Sequence, residues 1–256
     1  MASLNKIGFV SSQNPIAKKS LSILRKKYKF SDPSRADVIV VLGGDGTVLN
    51  YLHKYLKKKI PIYGMNRGHI GFLMNEYSEK KLLERLNSSI PTKLYPLKIR
   101  CFSKDGKIRE SIAFNDVSMI RDSRQIAKIS VTINNQTKIE QLLCDGCLIS
   151  TPAGSSAYNL SLRGPVIPID AQLLAITPIS PYRPRRWRGA LVPNKVKISL
   201  TAEETDKRPV RAEADFFELK KIIKLEVELD KSKFINLLFD PGHDLEDRII
   251  NEQFIF

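Results

Sequence analysis

The sequence predicts an α/β N-terminal domain built on a parallel sheet, followed by a β-rich C-terminal domain. Three observations carry this. Residues 38–42, Val-Ile-Val-Val-Leu, form an unbroken β-branched run of the kind buried on both faces of a parallel sheet. The run stops at Gly43-Gly44-Asp45-Gly46, and a helical pattern follows. After Pro91 the rhythm changes to short alternating stretches separated by turn residues. The expected domains are 1–91 and 92–239, with a tail over 240–256 as a candidate to pack back on the first domain.

Each element has its own signal. Residues 7–12 are short and apolar, bounded by polar residues, and read as a first strand. Ile16, Leu21, Ile23 and Leu24 then recur at roughly helical spacing among lysines and arginines. Residues 38–42 give the second strand and Thr47 opens a second helix. Lys57, Lys58 and Lys59 fall at its end, where cations suit the negative end of the dipole. Residues 60–63 predict a third strand and 79–86 a third helix, with Leu82, Leu83 and Leu86 on one stripe. Strands alternating with helices imply βαβ units. Further on, 94–102 and 108–120 flank Lys104-Asp105-Gly106-Lys107, and 129–133 and 138–142 flank Asn134-Asn135, two hairpin signals. Residues 196–201 and 222–229 alternate with period two, and one helix is expected near 155–162, capped by Ser155.

Composition sets limits on function. The 256 residues include 42 Lys and Arg against 27 Asp and Glu, a net charge of +15. That favours a polyanionic partner without naming one. No apolar run approaches the ~18 residues of a membrane-spanning helix. Three cysteines cannot form a disulfide framework, and the start lacks a secretory signal's apolar centre, so a cytoplasmic location is expected. Cys144 and Cys147 form a lone C-x-x-C without the further ligands of a zinc site, and read as small packing residues. The cluster Arg183-Pro184-Arg185-Arg186-Trp187-Arg188 reads as a surface loop with a structural Trp, or as a base or subunit contact.

The glycine-rich turn Gly43-Gly44-Asp45-Gly46-Thr47 lies where a strand hands over to a helix, a position that binds anions through backbone N–H groups. Glycines let phosphate oxygens approach the backbone. The turn is neither a Walker loop nor G-x-G-x-x-G. A carboxylate there would repel phosphates unless it has a task, and two suit it: taking a proton from an attacking hydroxyl, or helping to hold a divalent cation. A second glycine segment, Gly68-His69-Ile70-Gly71-Phe72-Leu73, follows the next strand and belongs to the same sheet edge. His69 reads as structural. The run from Cys144 to Ser161 is uncharged apart from Asp145 and dense in hydroxyls, which suits a nucleoside. Asn115-Asp116, between Phe114 and Val117, reads as a turn or a partly buried polar pair.

At these residues the sequence resembles the NAD kinase family, over most of the chain. Gly43 to Thr47 looks like the family's glycine-rich motif, which lipid and 6-phosphofructo kinases share in related form. Gly68 to Leu73 resembles the segment that follows it, Asn115-Asp116 the short Asn-acid motif, and Asp145-Gly146 with residues 150–158 the longest signature. The resemblance implies a two-domain architecture with the site in the crevice between the domains. It implies transfer of the terminal phosphoryl group of ATP to the 2′-hydroxyl of NAD's adenosine ribose, with Asp45 as base and Mg²⁺ or another divalent cation on the donor. Gly43, Gly44, Asp45, Gly46 and Thr47 would hold donor phosphates. Phe72, Asn115, Asp116, Ala153, Ser156, Ala157, Tyr158, Asn159, Leu160 and Ser161 would bind NAD. Asp145 would reach NAD from a neighbouring subunit of a homodimer or homotetramer. Ser156 and Ala153 depart from the family's usual hydroxyl residues, and Ala153 removes one possible hydrogen bond. The alternatives are a lipid kinase, for which no greasy acceptor pocket or membrane helix is legible, and a basic nucleic-acid-binding protein, for which no recognition motif is. Neither a membrane nor nucleic acid is an expected partner.

Overall fold

The computed structural model describes residues 6–68 and 71–242. The chain divides into two units, the first ending at Leu94 and resuming at Lys233, the second running over Tyr95–Ser232. The first contains β1 (Ile7–Ser11), α1 (Pro15–Lys27), β2 (Val38–Gly43), α2 (Asp45–Tyr55), β3 (Ile62–Asn66), α3 (Leu82–Ser88) and β4 (Ile90–Leu94). The second contains β5 (Leu97–Ser103), β6 (Ile108–Ala113), β7 (Asp116–Arg121), β8 (Ala127–Ile133), β9 (Gln136–Cys144), β10 (Gly146–Ser150), α4 (Tyr158–Ser161), β11 (Leu173–Ile179), β12 (Ala190–Pro193), β13 (Ile198–Ala202), β14 (Val210–Ala214) and β15 (Phe217–Leu229). The chain then returns to the first unit as β16 (Ile235–Phe239).

The first sheet has the order β1-β2-β3-β16-β4, parallel except for the β16–β4 pair. All six residues of β2 are buried, as its unbroken apolar run requires. Helix α1 starts where the Asn14 side chain accepts a hydrogen bond from the Ile16 N–H at 2.8 Å, with Pro15 in the first turn. It buries Ala17, Ser20 and Leu24 and leaves Ile16 exposed. Helix α2 buries Val48, Leu49, Leu52 and Tyr55, and begins at Asp45, two residues before the expected start. In α3 the i, i+4 pair Leu82 and Leu86 is buried, whereas Leu83, a helical step of about 100° away, is half exposed. The lysines at 57–59 lie beyond α2, in a single 3₁₀ turn and its left-handed end at Lys59.

Residues 92–94 and 233–239, expected in the second domain, belong to the first, because β4 and β16 complete its sheet. The return is fastened just past β16. Asp240 accepts hydrogen bonds from the Tyr63 hydroxyl at 2.6 Å and from the Arg85 guanidinium at 2.5 Å. The Asn75 amide donates to the carbonyls of Gly64 and Leu238 and accepts from the Asp240 N–H. The expected tail lies outside the described residues from 243 onward.

The second unit is a sheet of antiparallel pairs in the order β12-β11-β10-β7-β14-β15-β13-β8-β9, with β5 paired to β15 and β6 to β5. Long β15 serves β14 with its first half and β13 and β5 with its second. Both expected hairpins form: Gly106 takes the left-handed conformation at φ 80° in one, and Asn134 and Asn135 take φ 48° and 63° in the other, as a two-residue type I′ turn demands. The single strand expected over 108–120 instead breaks at Phe114-Asn115 into β6 and β7. The expected helix is only the single turn α4. Ser155 does not cap it; its hydroxyl donates to the Pro152 carbonyl at 2.7 Å and accepts from the Ile167 N–H at 2.9 Å.

Candidate functional site

In the first unit the two glycine segments meet at the carboxyl ends of β2 and β3. The Arg67 N–H donates to the Gly43 carbonyl at 2.7 Å. Asp45 occupies the first turn of α2, where the dipole favours an anion. Its Oδ2 accepts from the Phe72 N–H at 2.8 Å and its Oδ1 from the Leu73 N–H at 2.9 Å. The carboxylate therefore has a fixed orientation. Side chains are excluded from two neighbouring positions. A Cβ on Gly43 would lie 2.6 Å from Thr47 Oγ1, and one on Gly71 would lie 2.6 Å from Met74 Cγ and 3.2 Å from Asp45 Oδ1. Gly44 and Gly46 are different: a Cβ there would meet nothing within 4 Å. Open space beside two backbone positions at a helix N-terminus is what a phosphate chain needs. His69 and Ile70 lie outside the described residues.

In the second unit the break between β6 and β7 builds the other cluster. The Asn115 carbonyl accepts from the Thr151 N–H at 2.9 Å, and the Thr151 hydroxyl donates to the Phe114 carbonyl at 2.6 Å. Asp215, at φ 45° in the turn between β14 and β15, accepts from the Phe114 N–H at 2.7 Å and the Asn115 N–H at 3.2 Å. Gly154 packs its backbone directly on Asn115. With its backbone so held, Asn115 keeps a buried Oδ1 that has no hydrogen-bond partner among the described residues. Such an atom is costly unless a ligand satisfies it. Beside it, burial pushes the Asp116 carboxyl up to about 7, helped by the charge of Asp215.

Register places the remaining candidates. Asp116 opposes Ser150 in the β7–β10 pair, so the start of the run 151–161 emerges beside it. Ala153 is buried, Ser156, Ala157 and Leu160 are half-buried, and Tyr158 and Ser161 are exposed. Asn159 is fully buried and its amide is committed inside the unit, donating to the Ser155 and Pro165 carbonyls and accepting from the Thr177 hydroxyl at 2.6 Å. The Asn159 side chain is thus engaged inside the second unit. Asp145 is not brought to the cluster: it precedes β10 and Thr151 follows it, a span of roughly 20 Å at strand rise. There it pairs with Arg121 at 2.6 Å.

All three cysteines are free and buried. Burial pushes the Cys101 thiol up to about 11, the Cys144 thiol up to about 12, and that of Cys147 well above its ordinary range. Trp187 packs partly buried against the core of the second unit. Thr151 and Asp215 are the residues that motif reading misses. Thr151 lies in the polar run but spacing gives it no role, and Asp215 acts 100 residues away from Asn115. The one signal for Asp215 is an Asp between two alternating strands, a residue type that tolerates the left-handed turn conformation.

Residues 2–90 match the ATP-NAD kinase N-terminal domain and residues 105–234 the ATP-NAD kinase C-terminal domain. The chain belongs to the ATP-NAD kinase family. It is 45% identical over 251 residues to the NAD kinase of Caulobacter vibrioides, covering 98% of this chain and 96% of the relative. It is 44% identical over 250 residues to that of Rhizobium meliloti, covering 98% and 97%. Two solved structures share the fold. Yeast NADH kinase complexed with NADH aligns at a TM-score of 0.82 and 19% identity, covering 98% of this chain and 87% of that one. An NAD kinase from Archaeoglobus fulgidus in complex with ATP aligns at 0.74 and 21% identity, covering 96% and 98%. The ATP-NAD kinase family thus accounts for both units, the parallel one and the antiparallel one.

Proposed function

We propose that this chain transfers the terminal phosphoryl group of ATP to the 2′-hydroxyl of the adenosine ribose of NAD, giving NADP and ADP. The observation that carries the reading is the Asp45 carboxylate, oriented by the Phe72 and Leu73 amides beside the open backbone of Gly44 and Gly46. In this reading Asp45 takes the 2′-hydroxyl proton as the new O–P bond forms, and the bond between the terminal phosphorus and the departing ADP oxygen breaks. Positioning and charge neutralisation supply most of the catalysis. Asn115, Asp116, Ala153, Ser156, Ala157, Tyr158, Leu160 and Ser161 hold NAD, the first through its orphaned carbonyl oxygen.

Among the described residues no three His, Cys, Asp or Glu side chains converge into a metal cage. Mg²⁺ is compatible with this reading nonetheless, because it takes most of its ligands from substrate phosphates and water, and Asp45 remains the proton acceptor. When bound it would neutralise charge on the triphosphate. The position of Asp145, far along β10 from Asn115, supports a role toward NAD held by a neighbouring copy in a homodimer or homotetramer. No described helix is long and apolar enough to cross a membrane. The proposed cytoplasmic setting is supported by the three cysteines, which are free and buried. Neither a lipid kinase nor a nucleic-acid-binding reading has comparable support.

Incubation of the purified chain with NAD, ATP and Mg²⁺ tests this directly. NADP should form, and omitting any one component should abolish it. No NADP under these conditions, with either ATP or inorganic polyphosphate as donor, would overturn the proposal.

A further inference from the structure

The geometry points to Asp215 as a positioning residue for NAD: it holds the Phe114–Asn115 break so that the Asn115 amide faces the dinucleotide. The inference rests on the kinase reading and adds a residue to it. The break between β6 and β7 has no strand ladder to fix it, so its peptide groups must be held from outside. Thr151 takes the carbonyl side, with its hydroxyl on Phe114 and its N–H on Asn115. Asp215 takes the amide side with one oxygen to each N–H, at 2.7 and 3.2 Å.

A carboxylate accepting two consecutive backbone N–H groups makes charge-assisted bonds, stronger than the neutral kind and directional. Asp215 is itself committed to the arrangement, since its φ of 45° is a conformation that L residues other than Asn and Asp rarely adopt. The consequence lies at the side chain. With its backbone fixed from both sides and Gly154 pressed against it, Asn115 carries its side chain from one defined position, with a buried Oδ1 that no described residue satisfies. Asp215 acts through Asn115 and needs no contact with NAD.

Two substitutions separate this role from simple support of the turn. Asp215→Gly removes the carboxylate and accepts the left-handed backbone without strain, so the turn survives. Asp215→Asn keeps one acceptor and the turn conformation but loses the charge. The full-length variants are compared with wild type by circular dichroism and melting, and by steady-state kinetics varying NAD and ATP separately. Asp215→Gly should raise KM for NAD about tenfold or more and leave KM for ATP within about twofold, with Asp215→Asn between it and wild type. Folded variants with KM for NAD within about twofold of wild type would overturn the inference, as would an equal rise for both substrates. If Asp215→Gly does not fold, the same two criteria apply to Asp215→Asn, read as a rise of at least about threefold. Wild-type protein that makes no NADP would instead sink the kinase reading itself, so the two failures are distinguishable.

Discussion

Gly154 lies so close to Asn115 that a Cβ on the glycine would stand 2.6 Å from Asn115 Cα, and closer still to its carbonyl. The obstacle is backbone, not a side chain that could rotate away. Gly154→Ala should therefore force the polar run off the Asn115 strand break, at a cost of about 1–3 kcal/mol in stability. KM for NAD should rise with it. Chemical denaturation and substrate kinetics on the same preparation check both. A variant with unchanged stability and KM would show that the close approach is dispensable.

Asp45→Asn keeps the size of the side chain and removes its basicity. Turnover should fall by about 10²–10⁴, the usual contribution of general-base catalysis. Melting should stay close to wild type and NAD should still bind in calorimetry. Turnover at the wild-type level would remove Asp45 from the chemistry.

Asp116 gives a pH dependence whose sign follows from its raised carboxyl, at about 7 in the folded chain against 3.8 for the ordinary group. Between those values the native state binds more protons than the unfolded state, so stability from this group is present at low pH and is lost as pH rises toward 7. Asp116→Asn, neutral throughout, should therefore stabilise the protein more at pH 8 than at pH 5. Denaturant midpoints at the two pH values measure this, and an equal effect at both would contradict the assignment.

Arg85 and Asp240 close the first unit around its returning strand, with side chains 18% and 13% exposed. Burial is the largest influence on the Arg85 cation and works against it, but the hydrogen bonds to Asp240 together with the charges of Tyr63, Asp240 and Glu76 outweigh it and raise its pKa. Replacing Arg85 with Met leaves Asp240 buried without its cation, which costs about 3–5 kcal/mol in such pairs. Adding Asp240→Asn should recover part of that loss. Additive effects of the two changes would show that they are energetically independent.

Subunit sharing predicts complementation. Asp45→Asn and Asp145→Asn should each be inactive or nearly so alone. Unfolded together and refolded, they should regain about a quarter of wild-type activity if sites are completed between two copies. No recovery in a mixture shown to contain hybrids would confine Asp145 to its own protomer.

Much of this was legible in the chain. The buried run 38–42, the glycine turn after it and the paired asparagines at 134–135 encode local structure through their own steric and turn preferences, which act over a few residues. Those preferences placed Asp45 between a strand and a helix and separated a parallel half from an antiparallel one. Tertiary structure decided what depends on partners far along the chain. It returned β16 to the first sheet, turned Asn159 inward onto Thr177, and broke one expected strand at Phe114-Asn115 so that Asp215 and Thr151 could hold the gap. Local pattern has no means of specifying a hydrogen bond across a hundred residues, because only the folded topology brings its two ends together.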